Sequence, residues 1–366
     1  MTKTSMALIT DESFFSQVSL VDFGPWVEGG LVFESPESRR RLLNLLHRSG
    51  LVDQLTMLSP TPAEEAELEL VHAPEYVARI RRLSQANGGE AGEYAAFGPG
   101  TFPIAALAAG AVRDGLRWVL EGAGRRAYAL VRPPGHHAER DRGRGYCIFS
   151  NVAVGIRACQ SQGVLDRVAV VDIDVHHGNG TEQAFWASPE VMTVSLHQDR
   201  CYPEDSGFPR ESGAEGARGA NVNVPLLPGS GLGAYLDAVD RIVEPALRAQ
   251  RPEVLVLAIG YDAGGLDPLG RMLLSAEGYG AIVDRLCTLA EEVCEGRVLA
   301  VQEGGYSPIH VPFCGLRVVE AMSGVKTGVP DPFDWLDGDP GQALAAFQRE
   351  HLDRVIVELR QAGAPL

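Results

Sequence analysis

Short apolar runs alternate along the chain with longer segments of amphipathic pattern. Five runs have the length and unbroken hydrophobicity of buried parallel strands, at residues 127–131, 167–171, 191–196, 253–259 and 297–301. Apolar residues at helical spacing predict helices over 37–50, 73–85, 104–120, 232–248, 275–294 and 343–361. Strands that alternate with helices indicate an α/β protein with one parallel, doubly wound sheet and helices on both of its faces.

The chain has no internal repeat or low-complexity linker that would divide it, so we predict that residues 1–366 form a single domain. The first 35 residues are predicted to be loop with a little strand. Residues 88–101 form a Gly-rich segment that carries Glu90 and Glu93. A surface linker is the favoured interpretation of this segment, and the rim of an active site is the alternative.

Composition narrows the choice of function classes. A net charge of −16 argues against a nucleic-acid-binding protein and favours cationic substrates. The six cysteines are scattered without a CxxC pair, which is typical of reduced thiols in a cytoplasmic protein. No signal peptide is visible and the longest apolar stretches are of strand length, so we expect a cytoplasmic protein without a membrane partner.

Ionisable residues follow two of the predicted strands directly. The strand at 167–171 continues into Asp172, Asp174 and His176, before a Gly-Asn-Gly turn. Because side chains alternate along an extended chain, Asp174 and His176 reach one cation from the same side. The alternative is a strand end with paired carboxylates and a structural histidine, but burying so many ionisable groups costs several kcal/mol without compensation.

The strand at 127–131 ends in the sequence RPPGHHA. The two prolines cannot extend a sheet and the glycine permits an unusual backbone angle, so a stiff turn delivers His136 and His137 at the strand end. Two successive histidines at such a place are better explained as acid/base groups or ligands than as structural residues.

Two further strands also end in candidate functional residues. Asp262 and Asp267 follow the strand at 253–259; Asp262 is nearer the strand and is the better candidate ligand, whereas Asp267, before a proline, is expected to be a turn residue. A Gly-Gly-Tyr sequence follows the strand at 297–301. Its glycines let the backbone approach a ligand and bring the phenol of Tyr306 inward, with a buried structural tyrosine as the alternative.

Parallel strands present their carboxyl ends at one edge of the sheet, so we expect these four strand ends to lie together. Ligand sites in open α/β sheets lie at this edge. Asp174, His176 and Asp262 would make three ligands with an open position, the arrangement of a catalytic metal site. Zinc suits these ligands, and Fe²⁺, Co²⁺ or Mn²⁺ would also be accepted.

The neighbouring groups complete a mechanism for amide hydrolysis. A metal polarises a carbonyl and lowers the pKa of water. His136 or His137 would take the proton from that water and later protonate the leaving amine. Tyr306 would donate a hydrogen bond to the developing oxyanion.

Four motifs in this order, RPPGHHA, DIDVHHGNGTE, GYDAGGLDPLG and EGGYS, resemble the histone deacetylase family, in its class II-like bacterial branch of histone deacetylase-like amidohydrolases. The resemblance extends over residues 39–325. It implies the arginase/deacetylase fold, with a central parallel sheet of about eight strands, and a zinc-dependent deacetylase with one Zn²⁺ per chain.

Residue roles follow from the resemblance by motif position. It implies that Asp174, His176 and Asp262 hold zinc, that Asp172 orients His136, and that Asn179 faces His137. It further implies a structural K⁺ held by main-chain carbonyls and one hydroxyl, those of Asp172, Asp174, His176, Leu196 and Ser195.

The resemblance also implies a substrate channel, formed by Gly145, Tyr146, Tyr202 and Leu269, with Glu93 at its rim. The two tyrosines stand where the family usually has phenylalanines, which would make the channel more polar. Glu93 stands where the family usually has the Asp that grips a peptide backbone. Leu269 stands where polyamine-preferring relatives have a glutamate, which argues against that selectivity device here.

Our leading hypothesis is a zinc-dependent amidohydrolase that removes acetyl or related acyl groups from lysine side chains or similar primary amines. The alternative within the class is an acetylpolyamine or other small-molecule N-acyl hydrolase. A homo-oligomer, dimer or tetramer, is expected by analogy with bacterial relatives, with the N-terminal loop and the tail from Pro330 as candidate contacts.

Two other classes remain open. A non-catalytic acyl-lysine binder would not need the intact set of His136, His137 and Tyr306. A binuclear manganese ureohydrolase would need further carboxylates, which Asn179 and the single Asp262 do not obviously supply.

Overall fold

The apolar runs of the sequence are strands of one parallel sheet in the computed structural model, which describes residues 4–20 and 32–366. In chain order the strands are β1 (Met6–Ile9), β2 (Thr56–Leu58), β3 (Gly89–Glu90), β4 (Gly92–Glu93), β5 (Ala96–Phe97), β6 (Arg126–Ala129), β7 (Gly143–Arg144), β8 (Val168–Asp172), β9 (Val191–Gln198), β10 (Asn221–Leu226), β11 (Val254–Ile259) and β12 (Val298–Gln302).

The helices between the strands are α1 (Glu37–Arg48), α2 (Glu65–Leu68), α3 (Pro74–Gln85), α4 (Thr101–Leu120), α5 (Asn151–Ser161), α6 (Asn179–Phe185), α7 (Leu232–Ala238), α8 (Glu244–Gln250), α9 (Ala276–Cys294), α10 (Val311–Ser323) and α11 (Ala346–Ala362). A π-helical segment, Val239–Val243, joins α7 to α8. No helix within the described ranges is both long and apolar enough to cross a membrane.

The central sheet has eight strands in the order β10-β9-β8-β11-β12-β6-β1-β2, and every pairing in it is parallel. From β8 the chain moves through β9 to β10 at one edge, whereas β11 lies on the other side of β8. The strand order therefore reverses between β8 and β11, and a crevice opens at their carboxyl ends.

Helices cover both faces of the sheet, as the sequence predicts. Side chains alternate along β8, so Ala169 and Val171 belong to one hydrophobic core and Val168 and Val170 to the other. Helices α9 and α10 pack in the first core, and α4 and α5 in the second. Burial on both faces explains why the strands are continuously apolar rather than alternating.

Several strands and helices of the structure are not predicted by the hydrophobic pattern of the sequence. β10 contains two asparagines and Pro225, which are tolerated because this strand lies at the edge of the sheet. β1 has only four residues but lies inside the sheet, between β6 and β2. The loop predicted for the first 35 residues includes residues 1–3 and 21–31, which lie outside the described ranges. Helices α5 and α10 were also not predicted.

A buried histidine makes the stability of this fold depend on pH. Burial lowers the pKa of His72 to about 4, while its ring is held between the carbonyl of Glu139 (2.8 Å) and the amide of Ser150 (2.9 Å). Between pH 4 and 6.5 the unfolded chain therefore binds more protons than the folded one, so stability falls as pH decreases through this window. The full loss is roughly 3 kcal/mol, since each pKa unit is worth about 1.4 kcal/mol.

We expect His72→Gln to flatten the pH dependence of the free energy of unfolding between pH 4 and 6.5, measured by urea denaturation. His47 is exposed, and His47→Gln serves as the control with an unchanged profile. A profile that His72→Gln leaves as steep as in the wild type would contradict the assignment.

Candidate active site

The candidate site lies at the carboxyl ends of four adjacent strands, in the sheet order β8-β11-β12-β6. His136 and His137 follow β6, Asp174 and His176 follow β8, and Asp262 follows β11. Tyr306 follows β12 through the two glycines. Parallel strands present the same ends at one edge, so residues far apart in sequence meet there.

Asp174, His176 and Asp262 form a compact cluster that we call the acidic trio. Their potential ligand atoms all lie within 4.8 Å of one another, and all three residues are buried. The Nδ1 atom of His176 is 3.1 Å from Oδ1 of Asp174 and 3.2 Å from Oδ2 of Asp262.

The electrostatics of the acidic trio are those of a cation site. Burial, then the neighbouring Asp174, raises the pKa of Asp262, whereas Asp174 and Asp262 raise the pKa of His176 against burial. The Oδ2 atom of Asp262 lies 3.2 Å from Nδ1 of His176, but no described residue meets hydrogen-bond geometry with it. A Cβ atom added at Gly304 would collide with that same oxygen. Two buried carboxylates, an imidazole and an unsatisfied oxygen fit a divalent metal.

His136 is held by carboxylates on two sides. Its Nδ1 atom is 2.9 Å from Oδ2 of Asp172, and its backbone amide donates to Oε2 of Glu303 at 3.1 Å. Burial lowers the pKa of His136, but Asp174 and then Asp172 outweigh burial and raise it to about 10. In the metal-free protein this imidazole is therefore protonated at neutral pH.

His137 lies beside His136, with ring centroids 3.9 Å apart, but has the opposite protonation preference. Its Nδ1 atom is 2.7 Å from Oδ1 of Asn179, a neutral partner. Burial, then the positive charge of His136 and of His176, holds the pKa of His137 well below 6.5. Two histidines whose environments separate their pKa values in this way are suited to different roles in proton transfer.

Tyr306 is positioned through its backbone. Its amide donates to Oδ2 of Asp267 at 2.7 Å, and the amide of Ser307 donates to the same oxygen at 3.2 Å. The other oxygen of Asp267 accepts from the amide of Leu269 at 2.9 Å, as expected of a turn residue. Sequence reasoning therefore identified the turn but missed that the same carboxylate anchors Tyr306.

A cavity of about 210 Å³ leads to the site. It is lined by Tyr94, His137, Gly145, Tyr146, His176, Cys201, Tyr202, Leu269 and Tyr306. Four of the five residues predicted for the channel are in this lining. Gly145 has a positive φ of +49°, and a Cβ atom there would lie 2.5 Å from the His137 ring. Tyr146 and Tyr202 approach Tyr306 and His137, with ring centroids 5.6 and 5.0 Å apart, respectively.

Glu93 lies at the mouth beside the cavity rather than in its lining. Its carboxylate accepts from Nε of Arg144 at 2.7 Å and is 43% exposed. The neighbouring Tyr94 lines the cavity, and β4 pairs with β7. The surface-linker interpretation of 88–101 is therefore wrong, because backbone pairing fixes this segment at the rim.

Sheet register places three of the residues predicted to bind K⁺, Asp172, Ser195 and Leu196, at neighbouring strand ends. Asp172 on β8 is paired with Ser195 on β9, and Leu196 follows. The amide of Asp174 donates to Oδ1 of Asp172 at 3.0 Å, which folds the segment leading to His176 back toward the strand end. The Ser195 hydroxyl is 2.9 Å from Nδ1 of His197.

Several residues around the site were not identified from the sequence. Glu303 bonds the amides of Gly135 and His136, and Glu139 bonds Asn179. Glu303 lies within the motif EGGYS, and Glu139 directly follows the motif RPPGHHA. Their positions in or beside these motifs could have indicated that they contact the site. Cys201 had no such signal, since scattered cysteines carry no spacing information.

Comparisons with known proteins agree with this geometry. The family model described as "Histone deacetylase domain" matches residues 32–322. The "Histone deacetylase-like amidohydrolase" of Pseudomonas aeruginosa is 44% identical over 89% of this chain and 86% of that protein. A "Probable deacetylase" of Archaeoglobus fulgidus is 34% identical over 82% of this chain and 85% of that protein.

A human relative named "Polyamine deacetylase HDAC10" is 37% identical over 93% of this chain and 50% of that protein. Among solved structures, "Crystal Structure of HDA15 HD domain" superposes with a TM-score of 0.85 at 27% identity, covering 98% of this chain and 96% of that one. This likeness confirms the predicted arginase/deacetylase-type α/β fold with its eight-stranded sheet. The chain belongs to the histone deacetylase family.

Proposed function

We propose that this protein is a zinc-dependent amidohydrolase that removes acetyl or related acyl groups from lysine side chains or similar primary amines. The observation that carries the proposal is the buried acidic trio beside two histidines of opposite protonation preference. Family membership and relatives named as deacetylases support amide hydrolysis as the reaction class.

Asp174, His176 and Asp262 would hold one zinc ion per chain, as three ligands with an open position. Bound zinc supplies Lewis acidity, which polarises a carbonyl and lowers the pKa of water from about 15.7 to about 7. His137, His176 and Tyr306 line the cavity, so an acyl group that enters it would lie beside the trio.

The two histidines would have different roles in the reaction. His137 is neutral and lines the cavity, so its Nε2 atom would accept the proton of the attacking water. His136 lies behind it, held by Asp172, and in its protonated form it would stabilise the developing negative charge. The leaving amine would then receive its proton from the imidazolium of His137.

Tyr306 would donate a hydrogen bond from its hydroxyl group to the oxyanion that forms on the former carbonyl oxygen. Burial, then Asp262 and Asp174, raises the pKa of Tyr306 well above 10, so the phenol keeps its proton and remains a donor. Donors of this type typically contribute about 3–4 kcal/mol to stabilising the transition state.

The channel favours a narrow chain carried on a cationic molecule. Tyr146 and Tyr202 add hydroxyls to its wall, and Glu93 would contact the substrate at the rim while it shares its charge with Arg144. Acetylpolyamines are the second candidate class, supported by the relative named as a polyamine deacetylase. Leu269 in the lining offers no charge for the second amine of such a substrate.

Side-by-side assays of the zinc-loaded protein test this function. We expect kcat/KM to be higher for an acetyl-lysine peptide than for N-acetylputrescine, and Glu93→Ala to raise KM for the peptide alone. A preference for N-acetylputrescine would favour the second candidate. Turnover of neither substrate, with zinc bound, would contradict both.

Three further features complete the proposal. A structural K⁺ would be bound by Asp172, Asp174, His176, Ser195 and Leu196, since register brings β8 and β9 together there. A dimer or tetramer remains a prediction, and sedimentation equilibrium would test it by measuring the molar mass of the protein in solution. Cytoplasmic location also remains a prediction.

A further inference from the structure

A chain of polar contacts connects the rim of the cavity to the ring of His137. Glu93 is bonded to Arg144, Arg144 to Glu139, and Glu139 to Asn179, which in turn contacts His137. Three of these residues lie on different segments: β4, β7 and the start of α6. The proposed function assigns roles to the two ends of this chain but not to Glu139 or Arg144.

Glu139 is the decisive member because its carboxylate can only accept hydrogen bonds. Its Oε1 atom is 2.8 Å from Nδ2 of Asn179, so the Asn179 amide must turn its NH₂ group toward Glu139. The carbonyl oxygen of Asn179 then faces Nδ1 of His137 at 2.7 Å. The reversed amide would point an oxygen at a carboxylate and would leave both contacts unfavourable.

The orientation of Asn179 determines where His137 carries its proton. A carbonyl oxygen only accepts, so Nδ1 of His137 must be the protonated nitrogen, and Nε2 keeps its lone pair. With the reversed amide, Nδ1 would have to accept and the hydrogen would reside on Nε2, which is the wrong tautomer for a base. His136 does not need such a device, because Asp172 is itself a carboxylate.

Arginines hold Glu139 in place. Nε of Arg142 donates to its Oε2 at 2.9 Å, and an Nη of Arg144 lies 3.3 Å from its Oε1. Glu139 is 7% exposed, so this geometry is protected from solvent. The guanidinium of Arg144 also lies 5.6 Å from the ring centroid of Tyr202, which joins the channel wall to the same set of contacts.

We propose that Glu139 is a positioning residue that sets the tautomer of His137 by orienting the Asn179 amide. Arg144 bonds both Glu139 and Glu93, and so connects this contact to the cavity rim. This inference rests on the proposed function only for its kinetic consequence. The tautomer itself is a property of the metal-free protein and is measured without turnover.

Two measurements on one set of variants test the proposal. ¹⁵N NMR of histidine-labelled, metal-free protein, with His137 assigned from His137→Asn, reports which ring nitrogen is protonated. We expect Nδ1–H in the wild type and loss of this single tautomer in Glu139→Leu. In the zinc-loaded enzyme Glu139→Leu should lower kcat by about 10- to 100-fold, typical of removing an outer partner that orients a functional histidine, with KM unchanged.

A compensating double variant separates positioning from a merely structural role. Asn179→Asp alone places two carboxylates against each other and should lower kcat. Glu139→Gln combined with Asn179→Asp restores a donor opposite the new carboxylate, so it should recover most of kcat. Both of these variants should keep the Nδ1–H tautomer, because a carboxylate at position 179 only accepts hydrogen bonds. Glu190→Gln, which breaks the Arg157–Glu190 pair at 3.3 Å on the surface, is the matched control and should change neither readout.

The outcomes are distinct. An unchanged tautomer in folded Glu139→Leu, or a double variant whose kcat is no higher than that of Asn179→Asp, overturns the proposal. Should Glu139→Leu misfold, as its melting temperature would show, the double variant still tests the proposal. A wild-type enzyme without turnover would instead contradict the proposed function, and the NMR result would still decide the role of Glu139.

Discussion

Replacing Tyr306 by Phe is expected to lower kcat on an acetyl-lysine peptide by about 10²- to 10³-fold, the loss found when one oxyanion donor is removed. The phenol is 8% exposed and lines the cavity with His137 and His176, so the change removes one oxygen and leaves the packing of the ring. KM and zinc content should be unchanged, because the hydroxyl is a donor to the transition state and not a ligand.

The matched control is Tyr235→Phe. This tyrosine is fully buried and outside the cavity lining, and its hydroxyl has no partner among the described residues. Its removal should leave kcat as in the wild type. If Tyr306→Phe also retained full activity, the oxyanion role would be wrong; if neither wild type nor variant turned over substrate yet both bound it, a non-catalytic acyl-lysine binder would be the better interpretation.

Replacing Asp262 by Asn is expected to abolish zinc binding and, with it, activity. In the metal-free protein the substitution should not lower the unfolding midpoint, because it removes a buried carboxylate whose pKa is raised by burial and by Asp174. In the wild type, zinc at about 1,000 times its Kd should add about 4 kcal/mol to the free energy of unfolding, an increment that the variant lacks.

Denaturation with and without zinc, together with metal analysis after dialysis, measures both effects. Asp353→Asn is the control, since this carboxylate pairs with Arg241 at the surface and is 55% exposed. A zinc-induced increase of the same size in Asp262→Asn would mean that the acidic trio is not the metal site. Two transition-metal ions per wild-type chain would instead favour a binuclear enzyme.

The sequence alone was sufficient for the framework of the site. Asp174 and His176 are two residues apart just beyond a strand end, and the alternation of an extended chain predicts that they share one side. In the structure this segment bends, with the amide of His176 bonded to Oδ1 of Asp174, and the two side chains still meet. Because parallel strands present their carboxyl ends at one edge, residues as distant as Asp262 and Tyr306 were also expected there. Local periodicity carries this information. In the structure Asp174 and Asp262 lie beside His176, which lines one cavity with Tyr306.

Edge and terminal elements were harder to predict because their patterns are weak. β10 contains Asn221, Asn223 and Pro225 among its apolar residues, a composition that the edge position permits. The Gly-rich segment 88–101 resembles a linker in composition, and its place at the rim depends on pairing with β7, whose paired residues lie 51 positions further along the chain.

Only the tertiary structure decided the electrostatics of the site. His136 and His137 are neighbours in sequence, yet their pKa values move in opposite directions. Asp174 and then Asp172 outweigh burial at His136, whereas burial and the positive charges of His136 and His176 dominate at His137. The anchoring of Tyr306 by Asp267, and the contacts from Glu93 through Arg144 to Glu139, likewise depend on distances between segments that no periodicity encodes. Residue type and spacing determined which groups reach the site, whereas charge and tautomer depend on through-space neighbours and so required the fold.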